Sequence, residues 1–212
     1  TKNILTNNPT IEQLGFWVSP ENRNFDARLE MAGGEFCGNA LRSLGALLAY
    51  LRNKKSNFIV ESSGMKIPVK LNSSIKFSSI TIDLDLLKYR DNIYSIPGIK
   101  HLLSEKKFTK LSAKSKLDKN NLLENKASGV ISYEKINADM YCINPIVWVR
   151  DIKTLYQESA CASGTLVLAY MLYRKTGTKK LNIKQPSGFI FKTLINNKKI
   201  ELSGPILGIK KE

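Results

Sequence analysis

The chain has 212 residues, 42% of them hydrophobic, enough to bury one large core or two of about 100 residues each. Thirty-three Lys and Arg against 18 Asp and Glu leave a formal charge of +15, which would suit an anionic partner such as nucleic acid. No stretch approaches the ~20 uncharged apolar residues of a membrane helix, since Arg42 and Arg52 interrupt the best candidate, and the opening residues do not read as a signal peptide. A soluble, cytoplasmic protein is expected.

Residues 14–31 (LGFWVSPENRNFDARLEM) read as two strands around a polar turn. Cys37 then opens CGNALRSLGALLAY, a helix apolar on nearly every face, which belongs inside a sheet and not on a surface. Residues 58–71 (FIVESSGMKIPVKL) alternate apolar and polar around Ser63-Gly64, the pattern of a hairpin whose glycine takes up the positive φ of a tight turn. A strand carrying His101 and a basic segment of helical character follow (IPGIKHLLSEKK onward). The lysines of residues 106–126 are scattered among Asn, Leu and Ser, with Phe108 the only aromatic, and read as a solvated face in preference to a nucleic-acid surface. Residues 128–149 repeat the two strands and polar turn, Cys161 opens CASGTLVLAYMLY, and residues 181–195 repeat the alternation around Ser187-Gly188.

The order is therefore the same twice over, and Gly64 follows Cys37 at the interval, 27 residues, at which Gly188 follows Cys161. Two similar α/β units are expected, each a curled sheet around a central helix, with both helix mouths facing one cleft. The first spans residues 1–92, joined by a closing strand at 204–212, and the second spans 93–203. A place matching that of His101 in the first unit falls ahead of Thr1, so a further N-terminal strand, roughly 25 residues or more, is expected to be missing from this sequence.

Three cysteines, odd in number and widely spaced, suit neither a disulfide scaffold nor a metal site, and reduced thiols are expected. Cys142 and Asn144 read as strand residues. Cys37 and Cys161 stand where a helix presents unpaired N–H groups and the positive end of its dipole, which favours a thiolate and predicts lowered thiol pKa values. Two such thiols across a substrate are the minimum machinery for inverting a stereocentre, one removing a proton and the other returning one to the opposite face. The N–H groups of Gly38 and Asn39, and of Ser163 and Gly164, could hold a substrate carboxylate and the charge that develops on it. The reading from another class, a basic nucleic-acid-binding protein with structural cysteines, predicts affinity that falls steeply with salt.

EFCGNALR (residues 35–42) resembles the first cysteine motif of the cofactor-independent diaminopimelate epimerase family, and ESACASGT (158–165) resembles the second. QPSG (185–188) and ELSGPI (201–206) are similar to its later signatures, so the resemblance covers nearly the whole chain. The form EFCGNA, with a glutamate three residues before the second cysteine, is most similar to the histidine racemase branch. The resemblance implies an α+β fold of two pseudo-symmetric domains, each a mostly antiparallel half-barrel around a central helix. It implies a racemase or epimerase that inverts the α carbon of an amino acid with Cys37 and Cys161 alone, without pyridoxal phosphate or metal, as a homodimer, with neither nucleic acid nor membrane as partner. It also implies that His101 assists Cys37 and that Glu158 assists Cys161. Diaminopimelate epimerases carry an arginine directly after that glutamate to grip the substrate's distal carboxylate. Ser159 stands there in this chain, which ranks histidine racemase ahead of the alternative, diaminopimelate epimerase.

Overall fold

The computed structural model describes residues 4, 7, 8 and 11–210. Strands β1 (Gly15–Val18) and β2 (Ala27–Met31) form an antiparallel pair, and the alternation in ARLEM turns Ala27, Leu29 and Met31 inward. Helix α1 (Gly38–Leu51) follows, then the hairpin of β3 (Ser56–Ser62) and β4 (Val69–Ser74), which sets Phe58 opposite Leu71 and turns through Gly64 at φ +76. β5 (Phe77–Asp83) pairs with β4. β2 and β3 run parallel, so α1 is the crossover that parallel neighbours require.

A 3-10 turn (Leu84–Leu86) and the short β6 (Lys88–Arg90) and β7 (Ile93–Ile96) lead into β8 (Ile99–Ser104), which carries His101. The basic segment is α2 (Lys110–Lys119), begun by a capping box between Thr109 and Ser112 and burying only Ala113 and Leu117. β9 (Ala127–Lys135) runs parallel to β8, and β10 (Met140–Val149) returns antiparallel with β11 (Thr154–Gln157) on its flank. Helix α3 (Ala162–Thr176) then crosses to β12 (Lys180–Lys184), parallel to β10, and β13 (Ile190–Asn196) completes a hairpin through Gly188 at φ +87. The connections β10–α3–β12–β13 thus repeat β2–α1–β3–β4.

β14 (Lys199–Pro205) lies between β13 and β5 and joins all 14 described strands into one mixed sheet. This corrects the closing strand expected at 204–212: alternation that buries Ile200, Leu202 and Gly204 starts the pairing at Lys199, and only Ile206 N–H to Lys76 O continues it beyond Pro205. Residues 211 and 212 lie outside the described residues.

The core follows the two cysteine-headed helices. Leu166, Val167 and Leu168, three consecutive residues pointing in three directions, are all fully buried, which only a helix surrounded by protein allows; each contributes about 1.5–3 kcal/mol. Leu41, Leu44 and Leu48 of α1 belong to the same continuous apolar cluster. Arg42 of α1 fastens the seam: its side chain donates to Ser78 O (3.1 Å) and Pro205 O (2.9 Å), and its guanidinium stacks 4.4 Å over Phe191. Burial pushes its pKa down to about 10, so it remains a cation at neutral pH. Among the described residues no helix is long and apolar enough to cross a membrane.

Candidate active site

Each cysteine is the N-cap of its helix, in nearly the same backbone conformation: φ −131, ψ 102 at Cys37 and φ −136, ψ 103 at Cys161. Each sulfur accepts from the N–H three residues on, Ala40 N at 3.4 Å and Gly164 N at 3.3 Å. The two helix mouths touch, because a Cβ built on Gly38 would lie 2.8 Å from Ala162 Cβ and 2.9 Å from Ile80 Cδ1. Both cysteines line one cleft, together with Gln13, Glu35, Asn39, Glu158 and Ser163.

The lead-in to Cys37 is pinned from outside. Gly64 and Gly98, both at positive φ, press on the backbone N of Phe36, where a Cβ would come within 2.6 and 2.8 Å, and Ser63 Oγ donates to Glu35 O (2.8 Å). Gln185, from the QPSG turn, serves the second cysteine: its Oε1 accepts from Cys161 N (2.9 Å), while its Nε2 donates to Thr165 Oγ1 and Ile183 O. Asn39 reaches across the cleft to Ala160 O (2.7 Å).

One residue that the sequence pattern does not mark bridges Cys37 and Glu158. Gln13 Oε1 accepts from Cys37 Sγ (2.8 Å) and Gln13 Nε2 donates to Glu158 Oε1 (2.7 Å). Its neighbour Glu12 accepts from Ser159 N–H through both carboxylate oxygens. With Gln13 in place, the cleft retains a cavity of about 10 Å³, room for a single water.

The thiol pKa values differ from expectation. Burial pushes Cys37 up to about 12, and it drives Cys161 well up, with the Glu158 carboxyl adding to the effect. The N–H groups of Ala40 and Gly164 do draw the thiols down, as the helix ends predict, but desolvation of the sulfur is the larger effect. His101 is fully buried and pushed down to about 3, hence neutral. The resemblance assigns it to Cys37; its hydrogen bond runs from Nε2 to Ser163 Oγ (2.9 Å), which is 3.5 Å from Cys161 Sγ. The Gly164 N–H assigned to a substrate carboxylate is likewise directed at Cys161 Sγ.

Burial lifts the Glu158 carboxyl to about 8; contact with Cys161 opposes this, and Glu12 and Glu35 add to it. Below its ordinary 4.5 the carboxyl is neutral whether folded or unfolded; between 4.5 and 8 the unfolded chain ionises while the folded one holds its proton, so folding loses free energy as pH rises. Glu158→Gln escapes this loss. Scanning calorimetry should find its Tm rising relative to wild type from about pH 5 to about pH 8 and level beyond; a relative fall over that window would contradict the burial.

Other features are structural. A cavity of about 550 Å³ holds neither cysteine and is lined by Arg28 with its ion-pair partners Glu21 and Glu61. Cys142 and Asn144 lie on β10 away from the cleft, with Asn144 Oδ1 accepting from Gln157. Among the described residues no group of three or more His, Cys, Asp or Glu is placed to hold a metal ion.

Solved structures share this fold. A protein assigned to phenazine biosynthesis, of the PhzC/PhzF type, from Clostridium difficile aligns with TM-score 0.61 and 12% identity over 100% of this chain and 86% of its own. A predicted epimerase from Pseudomonas aeruginosa aligns with TM-score 0.59 and 12% identity over 93% and 82%. Two histidine racemases, from two strains of Fusobacterium nucleatum subsp. nucleatum, are each 28% identical over 221 and 220 residues, covering 92% of this chain and 78% and 77% of theirs. The relatives define the class: an isomerase of the racemase and epimerase kind. More particularly, residues 2–73 and 64–204 match the family described as the histidine racemase CntK N-terminal domain, and the chain belongs to that family.

Proposed function

We propose that this chain is a histidine racemase that needs no pyridoxal phosphate and inverts the α carbon between Cys37 and Cys161. The observation that carries the reading is the matched pair of N-capping cysteines on touching helix mouths, in one cleft. One thiolate removes the α proton, the electron pair left on carbon spreads into the substrate carboxylate, and the opposite thiol delivers its proton to the other face. The first sulfur ends as thiol and the second as thiolate, which is the starting arrangement for the reverse reaction. The helix N-termini favour the carboxylate and its developing charge. His101 positions Ser163 beside Cys161, and Glu158, bonded to Gln13 and in contact with Cys161, assists that thiol.

An amino acid does not fit a cavity of about 10 Å³, so the Gln13 side chain withdraws for substrate to enter. The fold in this reading is two pseudo-symmetric units, residues 1–92 and 93–203, working as a cytoplasmic homodimer without nucleic acid or membrane. Histidine as substrate rests on the relatives, with Ser159 in place of a carboxylate-gripping arginine as its local support. The test is L-histidine in deuterated water: exchange of the α proton by NMR together with decay of optical rotation to zero is expected. Histidine that keeps both its α proton and its rotation would refute the proposal.

A further inference from the structure

We propose that Glu35 selects the substrate's side chain and selects for one that carries an N–H donor, in preference to a second carboxylate. This rests on the racemase reading above and adds to it a residue and a rule of specificity.

The cleft has acceptors to spare. Glu158 Oε1 already receives the Gln13 amide N–H. Glu35 Oε2 and Asn39 Oδ1 are buried without a well-formed hydrogen bond, the backbone N–H groups of Glu35 and Gly33 lying near enough to that carboxyl only to draw its pKa down, and Glu35 is only 4% exposed. Native proteins leave few buried carboxylate oxygens without a donor, and at the wall of a ligand cleft the ligand is the group that can bring one. No Lys or Arg lines this cleft. The Lys126 ammonium, whose charge acts on Glu35, points to Gly34 O at 3.5 Å. A distal carboxylate would bring a second acceptor to Glu35 with no cation in the cleft to offset the repulsion, whereas an imidazole, amine or guanidinium N–H would satisfy the orphan oxygen.

Position separates the two carboxyls. Glu158 is bonded to the same amide that receives the Cys37 thiol and also contacts Cys161, so it belongs with the two thiols themselves. Glu35 belongs to the lead-in to Cys37, and its carboxyl folds back over Gly33 beside Val149. Gly33 keeps that place open, since a Cβ there would lie 2.6 Å from Glu35 Oε2 and 2.3 Å from Val149 Cγ1. The pinning of residues 35 and 36 by Ser63, Gly64 and Gly98 fixes the backbone from which the carboxyl extends.

The test reads binding without turnover. Isothermal titration compares L-histidine with L-3-(2-thienyl)alanine, a five-membered aromatic side chain of similar size that lacks N–H, against wild type, Glu35→Gln and Glu35→Met. Wild type should prefer histidine by about 10- to 100-fold, the worth of a hydrogen bond to a charged group. Glu35→Gln keeps an acceptor but loses the charge and should retain only part of that preference; Glu35→Met, of similar length, should lose it, with thienylalanine affinity within about threefold of wild type in both. Equal weakening of both ligands would overturn the proposal by placing Glu35 on the shared α ammonium. A wild type without preference, or one that does not bind histidine, would overturn it as well. Absence of α-proton exchange despite selective binding would instead count against the two-thiol chemistry alone.

Discussion

Cys37→Ser and Cys161→Ser should each lower the rate of histidine racemisation by about 10²–10⁴-fold, the typical contribution of one positioned acid or base. Serine matches the geometry and keeps the N-cap acceptor, so the helix starts survive; what is lost is a group able to ionise in the site. Neither thiol is poised at neutral pH, since burial holds Cys37 near 12 and Cys161 well above its ordinary value. The reactive thiolate is therefore a minor form, stabilised by the N–H groups of Ala40 or Gly164 when it appears. A hydroxyl, far more basic, cannot reach even that population. Chiral chromatography of the product provides the measurement, and calorimetry of each variant separates loss of chemistry from loss of fold. Racemisation within about tenfold of wild type in either variant would refute the pairing of the two thiols.

Gly38→Ala should lower kcat by about 100-fold, because a displacement near 1 Å between acid and base is enough for that loss. The added Cβ would stand 2.8 Å from Ala162 Cβ and 2.9 Å from Ile80 Cδ1. Ala162 Cβ is fixed to the backbone of the first turn of α3, so it cannot swing aside, and the two helix mouths must part. Overpacking of this kind costs about 1–3 kcal/mol, offset in part by the ~1 kcal/mol by which alanine surpasses glycine in a helix. The variant should therefore fold and be defective chiefly in turnover. Gly38→Ala combined with Ala162→Gly removes the colliding partner and should recover most of kcat, the coupling expected of residues in contact. A single variant with kcat within about threefold of wild type would show that the spacing of the mouths does not matter.

Much of the strand order was legible because its signals are local. Ser63-Gly64 and Ser187-Gly188 mark turns wherever the chain around them folds, and alternation on either side sets which residues face inward. The paired N-caps were legible for the same reason, and their shared φ and ψ at Cys37 and Cys161 are what that repetition encodes. The closing strand was misplaced by five residues because Lys199 and its successors take their register from β5, more than 100 residues earlier in the chain. Gln13 carries no local signal either: its two partners lie 24 and 145 residues away, and only the folded sheet brings them to one amide.

The elements, the repetition and the pair of thiols at helix starts are written in local pattern, because periodicity and capping depend on residues within a turn or two of one another. The tertiary structure alone decided the state of those thiols. Burial outweighs the helix dipole at both sulfurs, His101 bonds to Ser163 on the Cys161 side, and Glu35 is left with a bare oxygen at the cleft. Desolvation is set by everything packed around a group, and that is known only once the whole chain has closed over it.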